Sequence, residues 1–223
     1  MAARLGIPAS ASMVSAQLLR VRESWPQEVW ARTGRLQLAS AFLGSLITGK
    51  WTSMSEAEAC ATGLWVHGGN QNAASLLGHA PGQGFWDEGV LDIVGGSREE
   101  GRRVRGWFGD VDVSGGGRRL GNVSRYLVER YSFDPGGFFV FRCSLDLLTW
   151  SLDTIVAPFT SDYLSTYLSL CPSPGDAVLS FGPMDTLLTP AQHYIPTRLY
   201  NLFPHPAQDP GEKRKYIAVL CSR

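Results

Sequence analysis

The chain lacks an excess of charge of either sign. Lys and Arg together number 20, and so do Asp and Glu, which leaves a formal net charge of zero. A balanced chain carries no electrostatic footprint for nucleic acid, an anionic membrane surface or a polyanionic partner. Close-set cysteines are missing too. Cys60, Cys143, Cys171 and Cys221 contain no C-x-x-C pair, and the four histidines share no metal-ligand spacing with them. Reduced thiols and no bound metal are therefore expected. Long apolar runs are also absent: the longest, "LQLASAFLGSLITG", is too short to cross a bilayer. The opening "MAARLGIPASASMVS" has no continuous apolar core of a secretory signal. The simplest expectation is a cytoplasmic protein with no membrane or nucleic-acid partner.

What is present is enough apolar material for a core. Hydrophobic residues make up 44% of 223 positions, which suits one large domain or two small ones. Residues 16 to 24 read as helical, and Pro26 opens a second helix in which Ala39, Phe42, Leu43 and Leu46 recur at i, i+3, i+4 and i+7. Gly49 is placed to end it. Ser55 followed by Glu58 is a capping box that opens a short helix in "EAEACATGLW". Residues 68 to 85, rich in Gly, Asn, Gln and Ala without a period, read as loop.

"WDEGVLDIVG" reads as another short helix, and "VRGWFGDVDVSGGG" as a strand alternating at Val111 and Val113. Asn122 or Ser124 can cap a helix through "SRYLVERYSF", with Val123, Tyr126 and Leu127 on one face. Beyond it come a strand at Ile155 to Phe159, a helix at Tyr163 to Leu170, and strands at Ala177 to Phe181 and Thr186 to Thr189. "KYIAVLCSR" is an apolar strand with almost nothing after it, as if the chain were cut short. Between these parts lies 138–154, where Phe, Leu and Trp dominate with a clean period of neither 2 nor 3.6. It reads either as a buried hairpin or helix, or as translated intron, since its removal would leave a loop of ordinary length.

With that segment set aside, "GNVSRYLVERYSFDP" and "IVAPFTSDYLSTYLSLCPSPGDAVLSFGPMDTLL", together with the earlier "EVWARTGRLQLASAFLGSLITGKWTSMSEAEACATGLW", resemble the middle of the eukaryotic-type xylulokinases in the FGGY family of carbohydrate kinases. The matches run in the family's order over most of the chain. The resemblance implies an α/β chain with the actin/hexokinase-like (ribonuclease H-like) ATPase fold, here in part. Residues 16–171 would be the later part of the sugar-binding domain, with 138–154 an extraneous insert, and 172–223 the opening strands of the nucleotide-binding domain. D-xylulose and ATP, with Mg²⁺, would meet in the cleft between them, and the product would be D-xylulose 5-phosphate.

By the same resemblance Asp162, where "IVAPFTSD" turns into a helix, matches the catalytic base. Phosphoryl transfer asks the protein mainly for alignment and charge neutralisation, plus a carboxylate to accept the sugar hydroxyl's proton. Read from the residues alone, Asp162 could equally be a plain helix cap. Arg35 falls where the family places an arginine that bonds the sugar, a task suited to a guanidinium's fixed donors. Tyr163 stands in place of the family's sugar-binding asparagine, and Ser161 in place of a glycine. Gly182 matches a Gly-Thr-Ser turn that touches nucleotide phosphates, but Pro183 and Met184 replace the hydroxyls. The family's "D-x-S-T" hairpin and adenosine-cradling segment have no counterpart, so the chain alone is expected to phosphorylate no xylulose. Two alternatives stay open: a non-catalytic sugar-binding or regulatory derivative, and an inactive truncated gene product.

The arginines at 98, 102, 103, 105, 118 and 119 form the one basic cluster and read as a solvated loop. "SGGGRR" lacks the G-K-[ST] ending of a phosphate-binding loop. His193 and His205 have no partner carboxylate at motif spacing.

Overall fold

A computed structural model of the chain describes residues 5, 10–11, 13–114, 119–131, 155–182, 184–208 and 212–221. The segment 138–154, Gly136, Cys143, Arg118 and Pro183 lie outside the described residues.

Helix α1 spans Val14–Ser24 and is followed by α2, Gln27–Arg32, and α3, Ala39–Thr48. The single helix expected from Pro26 to Gly49 is thus corrected to two. Thr33 and Gly34 are poor helix formers, and the Leu36 N–H leaves the helical ladder to bond the Trp107 carbonyl at 2.9 Å. Gly49 does end α3, with a left-handed φ of 70° that glycine adopts without steric cost. The face that α3 turns inward differs from the expected one. Ala41, Gly44 and Ser45 are buried, while Phe42, Leu43 and Leu46 are exposed. Small residues win this face because Leu120 and Phe159 approach Gly44 to within van der Waals contact of where a Cβ would stand. The inward polar groups are satisfied together. Ser45 Oγ lies 2.8 Å from the Ala41 carbonyl and 3.1 Å from Thr52 Oγ1, and accepts from Gln37 Nε2 at 3.0 Å.

The capping box forms as the sequence requires. Ser55 Oγ accepts the Glu58 N–H at 3.3 Å, and Glu58 Oε2 accepts the Ser55 N–H at 3.2 Å, opening α4 at Glu56–Ala61. Strand β1, Met54–Ser55, pairs in parallel with β4, Val111–Asp112. Strands β2, Trp65–Val66, and β3, Phe85–Trp86, are antiparallel with Trp65 opposite Trp86. The loop expected over 68–85 contains α5, Gln71–Leu77, whose N-terminus is capped by the Asn70 side chain. Two turns of helix are too short to show a period.

Helices α6, Glu88–Gly95, and α7, Arg98–Phe108, cross at two glycines. A Cβ on Gly95 would lie 2.5 Å from the Gly101 nitrogen, so the crossing tolerates no side chain there. Helix α7 corrects two expectations, the strand through Val104 and the solvated arginine loop. Ser97 caps it through the Glu100 N–H; Val104, Trp107 and Phe108 then point inward, and the arginines lie on the outer side. Only Val111–Asp112 remains strand.

Strand β5, Gly121–Asn122, pairs antiparallel with β6, Ile155–Val156, and α8 spans Arg125–Tyr131 without burying any residue. The strand expected to reach Phe159 stops at Val156, ahead of Pro158, which has no N–H for a ladder. Helix α9, Asp162–Leu170, leads into an antiparallel four-stranded sheet in the order β7 (Val178–Ser180), β8 (Thr186–Ala191), β10 (Tyr216–Cys221), β9 (Asn201–Pro204). Strand β9 was not legible in the sequence. In β10 the alternation of side chains sorts the core: Ile217 and Val219 join the main buried cluster, while Tyr216 and Ala218 pack with Leu202 on the other face. Burying Ile217 or Val219 contributes about 1.5–3 kcal/mol each. The main cluster runs from Trp30 and Leu64 through Leu164 to Val219, so one core continues across position 171.

Among the described residues no helix is long and apolar enough to cross a membrane. Cys60 and Cys221 are free thiols.

Candidate functional site

Strand β6 ends at Val156, and residues 157–161 carry the chain to α9. Ser161 occupies the cap position with extended backbone, yet its hydroxyl does not cap the helix. Asp162, the first helical residue, does that work instead: Oδ1 accepts the Tyr163 N–H at 2.9 Å. A carboxylate here is favoured by the positive end of the helix dipole. Asp162 is exposed, so it is both a helix-end group and one that a ligand can reach. Its charge, after burial, raises the pKa of the Tyr163 phenol and of the Cys221 thiol. Asp162 is therefore near enough to Cys221, the last residue of β10, for its charge to be felt there. Tyr163 is half-buried and packs against the main core.

The other two expected residues stand elsewhere. Arg35 is exposed in the irregular stretch between α2 and α3, with its guanidinium 4.9 Å from the Trp51 ring centre. Gly182 lies in the β7–β8 turn, where its N–H donates to Asp185 Oδ1 at 3.2 Å. The donor that a phosphate would use is thus engaged by a carboxylate, which also opposes an anion. Among the described residues no three His, Cys, Asp or Glu side chains converge as metal ligands.

A cleft of about 280 Å³ opens between the two parts of the chain. Ser55, Glu56, Asp112 and Thr160 line it from the N-terminal side, and His205 and Arg214 from the C-terminal side. None of Arg35, Asp162, Tyr163 and Gly182 is in its lining, although Thr160 stands two positions before Asp162. Next to this cleft the Thr160 and Ser161 hydroxyls are buried without a hydrogen-bond partner among the described residues.

The sequence reading missed the charged group at the back of this cleft. Glu56 is buried in the first turn of α4, yet it holds a full set of donors. Arg214 Nη1 is 2.9 Å and His67 Nε2 3.5 Å from Oε2, and Trp65 Nε1 donates to Oε1 at 3.4 Å. Burial by itself would raise the Glu56 pKa, but the His67 bond and charge and the Arg214 charge outweigh it and hold the carboxyl below its ordinary value. His67 is wholly buried, stacked on Tyr194 at 4.7 Å, and its Nδ1 accepts the Gly69 N–H at 2.8 Å. Nε2 of the same ring stands between Glu56 Oε2 at 3.5 Å and Arg214 Nη1 at 3.0 Å. No local motif could have shown this group, since its members lie 147 and 158 residues apart from Arg214.

No protein-family model matches the chain. Its sequence is 32% identical over 206 residues to a probable D-xylulose kinase A of Aspergillus fumigatus, and 30% identical over 207 residues to that of Aspergillus flavus. Each match covers 92% of this chain and 29% of the relative, so the chain spans under a third of the length of the curated relatives it matches. In three dimensions it is similar to the xylulose kinase of Rhodospirillum rubrum, with a TM-score of 0.66, 14% identity, and coverage of 98% of this chain and 36% of that one. It is also similar to the Plasmodium falciparum glycerol kinase with ADP, at a TM-score of 0.61, 13% identity, and coverage of 93% and 34%. The fold is the corresponding third of the actin/hexokinase-like sugar kinases. Taken with the ordered sequence match, this makes the chain similar to the FGGY carbohydrate kinases over the third of their length that it spans.

Proposed function

We propose that the chain carries the base-bearing part of an ATP-dependent kinase that converts D-xylulose to D-xylulose 5-phosphate. The observation that carries this reading is Asp162: an exposed carboxylate held at the start of α9, where Oδ1 accepts the Tyr163 N–H. In the reaction Asp162 takes the proton of the ketose hydroxyl as that oxygen bonds to the γ-phosphorus. The bond to the bridging oxygen breaks and ADP leaves. A positioned base of this kind is worth about 10²–10⁴ in rate. Mg²⁺ would enter with the nucleotide, whose phosphates it neutralises; the described residues offer it no cluster of ligands. Arg35 and Tyr163 are the proposed sugar-side donors, and cytoplasmic residence is proposed with them.

A second reading, a sugar-binding derivative without turnover, is favoured by the β7–β8 turn, where Asp185 occupies the Gly182 N–H. Two measurements separate the readings. D-xylulose binding followed by saturation-transfer NMR, weakened in Asp162→Ala, is expected under both, and its absence contradicts both. Because the chain spans under a third of its relatives, turnover is read after residues 155–171 are grafted into an Aspergillus D-xylulose kinase: ketose-dependent ADP release that disappears in Asp162→Ala selects the kinase, while a graft that binds D-xylulose without release selects the derivative.

A further inference from the structure

We propose that a second cleft, between the β2–β3 pair and the outer side of α7, binds a neutral saccharide of about disaccharide size. The cleft measures about 860 Å³, toward the upper end of typical small-molecule sites. It shares no lining residue with the cleft beside Glu56.

Its charged groups are unspent. Arg102 and Arg105, three apart on α7, share one face of that helix, and Glu88 and Asp110 join them in the lining. None of the four makes a hydrogen bond or ion pair with another described residue. The two positive and two negative groups cancel, which decides the ligand class. An anion would meet two carboxylates, and a cation two guanidinium groups. A neutral polyol uses both, giving hydroxyl protons to the carboxylates and taking N–H bonds from the arginines.

The lining is partly aromatic, with Trp65 and Trp86 each 6% exposed. Trp65 and Trp86 meet edge to face at 5.2 Å and are held by the β2–β3 register. Half-buried Phe85 carries the His79 ring stacked at 3.7 Å. Rigid aromatic walls with a few polar groups are the usual make-up of a small-molecule site. Gly106 keeps one wall open, since a Cβ there would meet nothing within 4 Å.

Titration with maltose and cellobiose, read by tryptophan fluorescence and saturation-transfer NMR, tests the site, with glucose 6-phosphate as the anionic control. A saturable response to at least one neutral disaccharide is expected. It should weaken about tenfold in Arg105→Ala and in Asp110→Asn, and weaken also in Gly106→Leu, which adds a side chain to the lining. These positions are exposed, so the melting temperature should hold and separate loss of binding from loss of fold. No response to either disaccharide, a response unchanged in all three variants, or tighter binding of glucose 6-phosphate overturns the proposal. Any of these leaves the ketose reading at Asp162 untouched.

Discussion

Arg214 Nη1 stands 2.9 Å from Glu56 Oε2 and so ties the approach to β10 to the first turn of α4. The carboxylate side chain is 7% exposed and the guanidinium side chain 44%. The pair closes the back of the cleft between the two parts of the chain.

Removing Arg214 leaves Glu56 buried with only His67 and Trp65 as donors. Breaking a buried pair costs about 3–5 kcal/mol, and water around the half-exposed arginine lowers this to about 2 kcal/mol. Urea unfolding of Arg214→Ala should show that loss. A change below about 0.5 kcal/mol, the range of ordinary surface substitutions, would show that the pair contributes little.

Stability should depend on pH through two glutamates of opposite sign. Burial raises the Glu58 pKa to about 7, against bonds from Ser55 that lower it. The native state therefore holds a proton that the unfolded chain releases above its ordinary value of 4.5. Stability from Glu58 is complete below that value and is lost as pH rises toward 7, by about 3 kcal/mol in all. Glu56, whose pKa is lowered, loses stability in the other window, as pH falls below the ordinary carboxylate value. Thermal melts between pH 4.5 and 8 should show the decline in the parent and a flat profile in Glu58→Gln, which keeps the capping box. Equal slopes in both proteins would contradict it.

The α6–α7 crossing should reject any side chain. A Cβ on Gly95 would meet the backbone of Glu100 and Gly101 at 2.5–2.6 Å, and backbone cannot move aside as a side-chain tip can. Gly95→Ala is expected to lose about 1–3 kcal/mol by overpacking, read by thermal melting. An unchanged melt would mean the helices slide apart without cost.

How much of this was legible follows from the range of each signal. The Ser55–Glu58 box and the Gly49 stop are local and appear where the residues put them. Helix α7 was hidden because its arginines on the outer side disguise an inward stripe of Val104, Trp107 and Phe108. The inward face of α3 was misread because close approach at Gly44 outweighs the size of Phe42 and Leu46. Asp162 is singled out by resemblance alone, its helix-end position being ambiguous by itself. Glu56, His67 and Arg214 carried no signal, since only the folded chain brings them together.

The role of Asp162 is tested most directly by grafting. Residues 155–171 would replace the matching segment of an Aspergillus D-xylulose kinase, and kcat would be measured with and without Asp162→Asn. The graft should support D-xylulose phosphorylation, and the substitution should lower kcat by about 10²–10⁴ with little change in KM. A graft that turns over equally well with Asn at that position would contradict the assignment.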